Sequence, residues 1–143
     1  ALILNNLNIV QQKYPQISQG WQLVIETREI NEKEVQVWMR KAKEHPETAI
    51  LDANQLVSDP FLRTIQPGER FHPYGNGGKG QKLSDFLINN KIPREYRGDL
   101  AVAADASGIV WIPGMRIAQR CAVGDHTHRI MILKIKKSSR GAS

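Results

Sequence analysis

Residues 70–87 read RFHPYGNGGKGQKLSDFL. Gly75, Gly77 and Gly80 meet the G-x-G-x-x-G spacing of a dinucleotide loop, and a helix-like run follows. If that match were real, the chain would be a doubly wound α/β protein. The fingerprint, however, needs a buried parallel strand running straight into the loop, so that free N–H groups at a helix start meet a pyrophosphate. Here the upstream residues are PGERFHPY, a short polar stretch bracketed by Pro67, Gly68 and Pro73. The acid expected about 20 residues on would have to be Asp99, which follows Arg97-Gly98 in a loop. A P-loop also fails, because Gln81 stands where its lysine belongs and Lys82 where its hydroxyl belongs. What remains is a flexible basic loop with Lys79 and Lys82 beside Arg70. It can meet a phosphate without nucleotide chemistry, or it can be a solvated turn.

The flanking segments read as mostly β. On the downstream side, KLSDFLINNK at 82–91 is a helix with Leu83, Phe86 and Leu87 on one face, stopped by Pro93. PREYR holds at most one helical turn. LAVAADASGIVWIP reads as a hairpin, with strands 100–104 and 109–112 around an Asp105–Gly108 turn. HRIMILKIKK at 128–137 is a last strand. Ile130 and Ile132 point one way and Met131, Leu133 and Ile135 the other, which suits a strand covered on both faces.

On the upstream side, AILDANQL at 49–56 and FLRTI at 61–65 read as short strands. WQLVIETRE at 21–29 is a half-buried strand. NEKEVQVWMRKAKEH at 31–45 opens with Asn31 as N-cap and Glu34 in a capping box, followed by a Val35, Trp38, Met39, Ala42 stripe; a strand through EVQVW competes with that helix. Residues 1–14 carry Ile3, Leu7 and Val10 at helical spacing. The fold class expected is therefore α+β, β-rich: a small curled sheet or barrel-like domain with one packed helix. Residues 1–48 form a helical leader or linker, 49–137 the main domain, and 138–143 a disordered tail. Whether the leader packs on the domain or exchanges with a second copy stays open.

Composition narrows the function. The 143 residues carry a formal charge of +6, and residues 61–143 hold 14 basic against 6 acidic residues while residues 1–60 hold 6 against 8. A basic module on a near-neutral leader favours polyanions, nucleic acid above all. No apolar run approaches the roughly 20 residues of a membrane span. Residues 1–20 lack the basic head of a signal peptide. The single cysteine, Cys121, reads as a small buried hydrophobe, and a lone thiol suits a reducing, cytoplasmic setting.

No catalytic constellation is visible, and no metal site is expected. Asp125, His126 and His128 lack a third strong ligand nearby and read as a surface loop. Asp85 fits the first turn of its helix, and Asp105 a turn. Trp21, Trp38 and Trp111 lie in periodic segments and read as core. Phe71 and Tyr74 flank the basic loop and are the candidates to stack on bases.

The motif run AILDANQL, LRTIQPGERFHPYGNGGKGQKLSDFLINNKIPREYR and VAADASGIVWIPGMRIAQR resembles the C-terminal domain of tRNA(Ile)-lysidine synthetases over about residues 49–120. Glu69 stands where the family usually has Asp, and the loop has an extra glycine. The resemblance implies a module of a ligase that joins lysine to the wobble cytidine of an isoleucine tRNA. It also implies a fold similar to a domain of the phenylalanyl-tRNA synthetase β subunit, and tRNA as partner through its acceptor stem. ATP and Mg would serve a separate N-terminal domain with a Ser-Gly-Gly-x-Asp-Ser loop that is absent from this sequence, so this chain is expected to hold no cofactor and no catalytic residue. The basic residues that match the motifs are Arg63, Arg70, Lys79, Lys82, Arg94, Arg97, Arg116 and Arg120, with Arg70 alternatively locking the loop through Asp85 or a carbonyl. Two other readings compete: an aminoacyl-tRNA hydrolase or editing domain using Asp85 or His72, and a dimerisation module, the chain being a possible homodimer.

Overall fold

A computed structural model describes residues 14–77 and 79–137. The leader helix expected within 1–14 and the tail at 138–143 fall almost wholly outside them. In chain order the elements are β1 (Trp21–Glu29), α1 (Glu32–Glu44), β2 (Thr48–Asp52), β3 (Phe61–Arg63), β4 (Arg70–Phe71), β5 (Gln81–Lys82), α2 (Leu83–Asn89), α3 (Arg94–Arg97), β6 (Val102–Asp105), β7 (Gly108–Ile112), β8 (Arg116–Ile117) and β9 (Arg129–Lys137). No described helix is long and apolar enough to cross a membrane.

The strands form a sheet of order β1-β9-β2, a second of order β3-β6-β7-β8, and a β4-β5 ribbon. Three apolar layers hold them. Ile50, Ile130 and Ile132 face α1, meeting Val35, Trp38 and Met39. From the opposite face of the same sheet, Leu51, Met131, Leu133 and Ile135 meet Ala103, Val110 and Trp111 of the second sheet. Val102, Ile109 and Ile112 face Leu83, Phe86 and Leu87 of α2. The order across the domain is thus helix, sheet, sheet, helix, and the chain is α+β and β-rich as expected. Each fully buried Leu or Ile in these layers contributes about 1.5–3 kcal/mol.

β9 can face two layers because every second side chain is apolar on both sides, as its sequence predicted. β7 breaks simple alternation: Ile109 and Ile112 share one layer, and Val110 and Trp111 the other. A bulge explains this. Ala103 opposes Trp111 while Ala104 opposes Ile109, leaving Val110 as the extra residue.

The leader's strand is built into the domain. β1 pairs with β9 along its whole length, from Trp21 opposite Lys137 to Glu29 opposite Arg129. α1 starts on the expected capping box: the Glu34 amide donates to Asn31 Oδ1 at 3.0 Å, and the Asn31 amide donates to Glu34 Oε1 at 3.2 Å. The helix thus wins over the competing strand through EVQVW. Trp38 is half-buried on α1, with Lys41 Nζ 4.5 Å and Arg28 Cζ 5.2 Å from its ring centre. The stretch 49–56 is strand only to Asp52. Its carboxylate accepts from the Asn54 amide at 3.0 Å and turns the chain into a 3-10 turn at Ala53–Gln55.

Candidate nucleic-acid interface

The glycine loop closes the β4-β5 ribbon. Arg70 lies directly across from Lys82, and Phe71 across from Gln81. Phe71 turns inward and meets Phe86 edge-on, ring centres 5.2 Å apart, so it anchors the core. Arg70 and Lys82 therefore point the other way, side by side, and both are exposed.

The loop between them is a chain of tight turns. The Asn76 amide donates to the Pro73 carbonyl at 3.3 Å, and the Lys79 amide to the Asn76 carbonyl at 3.1 Å. Gly75 and Gly77 adopt left-handed φ of 89° and 62°, where a side chain is strained. At Gly80 a Cβ would collide with the His72 imidazole. The loop's first half is tied to the second sheet: the Tyr74 amide donates to the Ile117 carbonyl at 3.0 Å and the Gly75 amide to Gln119 Oε1 at 3.2 Å. The two-residue strand before the loop and the antiparallel pairing of the named strands exclude a dinucleotide fold.

The motif-matching basic residues separate by their partners. Arg63 holds Glu69 in a two-pronged ion pair at 3.1 and 2.5 Å and also donates to the Thr64 carbonyl at 2.9 Å. Burial works to raise the Glu69 carboxyl, but Arg63 and the Gln66 amide outweigh it and hold it below its usual value. Arg120 holds Asp105 in the same way at 3.1 and 2.6 Å. Asp105 also accepts from the Val57 and Ser107 amides, so its carboxyl too is lowered against the opposing effect of burial. Arg120 is held charged by Asp105, its own pKa raised. Arg97 donates through Nε to the Ile92 carbonyl at 3.0 Å. Arg116 is exposed and donates through Nη1 to the Tyr74 carbonyl at 3.0 Å. Arg70, Lys79, Lys82 and Arg94 are exposed and enter no ion pair among the described residues. Arg70 does not reach Asp85.

The other candidates sit apart. Cys121 is fully buried, and burial pushes its thiol up to about 11. His126 and His128 are exposed, while Thr127 between them is buried and donates to Asp52 Oδ2 at 2.8 Å. His72 and Asp85 are exposed and share no hydrogen bond among the described residues. Asp99, the would-be ribose acid, accepts from the Ser18 amide and so fastens the leader to the domain.

One residue escaped sequence reasoning. Lys43, in the last turn of α1, shares a groove with Tyr74 and Arg116. Charge counting passed over it because residues 1–60 taken together hold 6 basic against 8 acidic residues, and nothing local links residues 43, 74 and 116.

Comparison with known proteins agrees with this fold. The chain is 31% identical over 88 residues to a tRNA(Ile)-lysidine synthase of Dehalococcoides mccartyi, covering 62% of this chain and 18% of that protein. It is 33% identical over 86 residues to the Clostridium acetobutylicum enzyme of the same name, covering 60% and 18%. The chain thus spans under a fifth of the length of these curated relatives. Its fold is similar to a crystallised TilS C-terminal domain, with a TM-score of 0.63 at 23% identity over 89% of both chains. It is also similar to an N-terminal fragment of the phenylalanyl-tRNA synthetase β subunit from Pyrococcus horikoshii, with a TM-score of 0.58 at 15% identity over 92% of this chain and 42% of that one. The TilS substrate C-terminal domain model matches residues 61–133, more than half of the sequence, and the chain belongs to that family.

Proposed function

We propose that this chain is the tRNA-recognition module of a tRNA(Ile)-lysidine synthase, gripping the acceptor stem by its phosphates while the wobble cytidine is modified elsewhere in the enzyme. The observation that carries this reading is the Arg70–Lys82 pair. Like charges placed directly opposite on a ribbon repel and destabilise it. The two are exposed and pair with no carboxylate among the described residues, so a phosphate oxygen between the two cations would remove the repulsion. Lys79 extends the patch along the same loop, and the left-handed glycines let the loop lie flat against a backbone. The ATP- and Mg-dependent ligation would then belong to the remaining four-fifths of the parent enzyme, working in the cytoplasm.

Titrating an isoleucine tRNA against this chain at several salt concentrations tests the proposal. Binding should weaken steeply with salt. Arg70→Ala with Lys82→Ala should weaken it further and reduce the slope of log K on log salt by about 1.8. Salt-independent binding, or an unchanged slope in the double variant, refutes it.

A further inference from the structure

A groove of about 460 Å³ runs between α1 and the β7-β8 hairpin, within the usual size of a small-ligand cleft, about 300–1,000 Å³. Trp111, Met39 and Met115 are among its apolar lining. Tyr74 also lines it, 41% exposed, its hydroxyl in no hydrogen bond among the described residues. Two cations line it, Lys43 and Arg116, and no carboxylate does. Lys43 enters no ion pair among the described residues, and Arg116 commits only Nη1 to the Tyr74 carbonyl. Past Tyr74 the groove continues into a second recess, where Glu32 and Asp125 appear. Met39, Lys43 and Tyr74 line both recesses, so Arg116 stands on the side without carboxylates, Glu32 and Asp125 on the other, and Lys43 between them.

From this arrangement we infer that the groove takes one unpaired nucleotide of the bound RNA. Its base lies against Tyr74 and the methionine thioethers, and its phosphate turns to Lys43 and Arg116, away from Glu32 and Asp125. An aromatic face beside unpaired cations is the chemistry that holds single-stranded nucleotides, and it accepts any base. The inference rests on the RNA-binding reading above. Arg116 joins the two sites, because it braces the start of the glycine loop at Tyr74 and also lines the groove. Duplex phosphates on Arg70, Lys79 and Lys82 would then leave a strand end beside the groove.

The test uses two RNAs, a blunt 12-base-pair hairpin and the same hairpin with a four-nucleotide single-stranded 3′ extension carrying 2-aminopurine. The extension should tighten binding about tenfold, as expected for one stacked base, and its fluorescence should quench on binding. Tyr74→Ala should abolish both the gain and the quenching while leaving blunt-hairpin affinity intact. Tyr74→Phe should retain both. The hydrogen bonds that tie Tyr74 to the fold are made by its main chain, so the alanine variant should melt within a few degrees of the parent. An extension that brings no gain overturns the inference and leaves the duplex reading standing. Equal loss on both RNAs in Tyr74→Ala overturns it too, since that would make Tyr74 a general contact or a support of the loop. Failure of the parent chain to bind either RNA overturns both readings together.

Discussion

Replacing Arg120 by methionine should cost this chain stability and not RNA affinity. The side chain of Asp105 is fully buried and that of Arg120 is 34% exposed. Arg120→Met keeps much of the aliphatic stem but removes both hydrogen bonds to the carboxylate, at 3.1 and 2.6 Å, and one to the Gly108 carbonyl at 3.2 Å. Stranding one member of a buried ion pair costs about 3–5 kcal/mol. Two offsets apply: the Val57 and Ser107 amides still donate to Asp105 at 3.0 and 2.9 Å, and solvent at Arg120 screens the pair. The expected loss is therefore about 2–3 kcal/mol, a fall in Tm of roughly 10 °C for a domain of this size. Urea unfolding followed by the fluorescence of buried Trp111 measures it. The pH dependence has a definite sign. The folded pKa of Asp105 lies below its unfolded value, near 3.9, so the pair contributes fully above that value and is lost as pH falls through the folded one. The gap between parent and variant should be flat from pH 8 to 5 and shrink below about pH 4. Adding Asp105→Asn to Arg120→Met should recover part of the loss by removing the stranded charge. A variant within about 0.5 kcal/mol of the parent, or one that folds normally but loses tRNA affinity, would refute the assignment of Arg120 to the fold.

Three further outcomes follow from other parts of the structure. Asn31→Ala removes the α1 cap and should cost about 1 kcal/mol, with faster hydrogen exchange at Glu34, whose amide the cap satisfies. Gly77→Ala meets no atom within 4 Å but must adopt a φ of 62°, so it should cost about 1–2 kcal/mol by chemical unfolding through backbone strain alone. Cys121, buried and with its thiol pushed up to about 11, should react with a disulfide reagent at neutral pH only at the rate of unfolding, and an immediate reaction in the native state would show that it is accessible.

Much of the fold was legible because its signals are local. The capping box at Asn31, the two apolar faces of 128–137, the Asp105–Gly108 turn and the Leu83, Phe86, Leu87 stripe each depend on residues within one turn or one strand. What escaped depends on distant pairing. The strand 21–29 reads as a half-buried piece of a leader, yet its partner β9 is a hundred or more residues away. AILDANQL looks like strand throughout because its apolar residues continue, but the Asp52 side chain captures the next turn's amide and ends the strand. The β7 bulge is invisible in GIVWI, since five apolar-compatible residues fit either face pattern. The same limit governs the site. Charge counting found the basic half and the glycine loop, and missed Lys43 because it weighed residues 1–60 together, where acidic residues outnumber basic ones.

The basic residues of the family motif serve two purposes, and the carboxylates tell them apart. Arg63 and Arg120 each meet a carboxylate whose own lone pairs are filled by neighbouring amides, so the charge of each pair is neutralised inside the domain. Glu69, which stands where aspartate is usual in the family pattern, keeps both prongs to Arg63 and the bond from the Gln66 amide. The exchange therefore preserves a structural clasp at the root of the ribbon. That clasp fixes the turn before β4, and β4 sets Arg70 against Lys82. The clasped arginine thus acts on the surface pair at one remove: it holds the ribbon whose exposed face carries two cations in mutual repulsion. A basic residue is expected to touch RNA only where the fold leaves its charge uncompensated, which on the RNA-binding reading directs the duplex phosphates to Arg70, Lys79, Lys82 and Arg94 and leaves Lys43 and Arg116 to the groove. Substituting Arg63 should then lower tRNA affinity only as far as it loosens the ribbon, without the loss of salt slope that marks a direct phosphate contact.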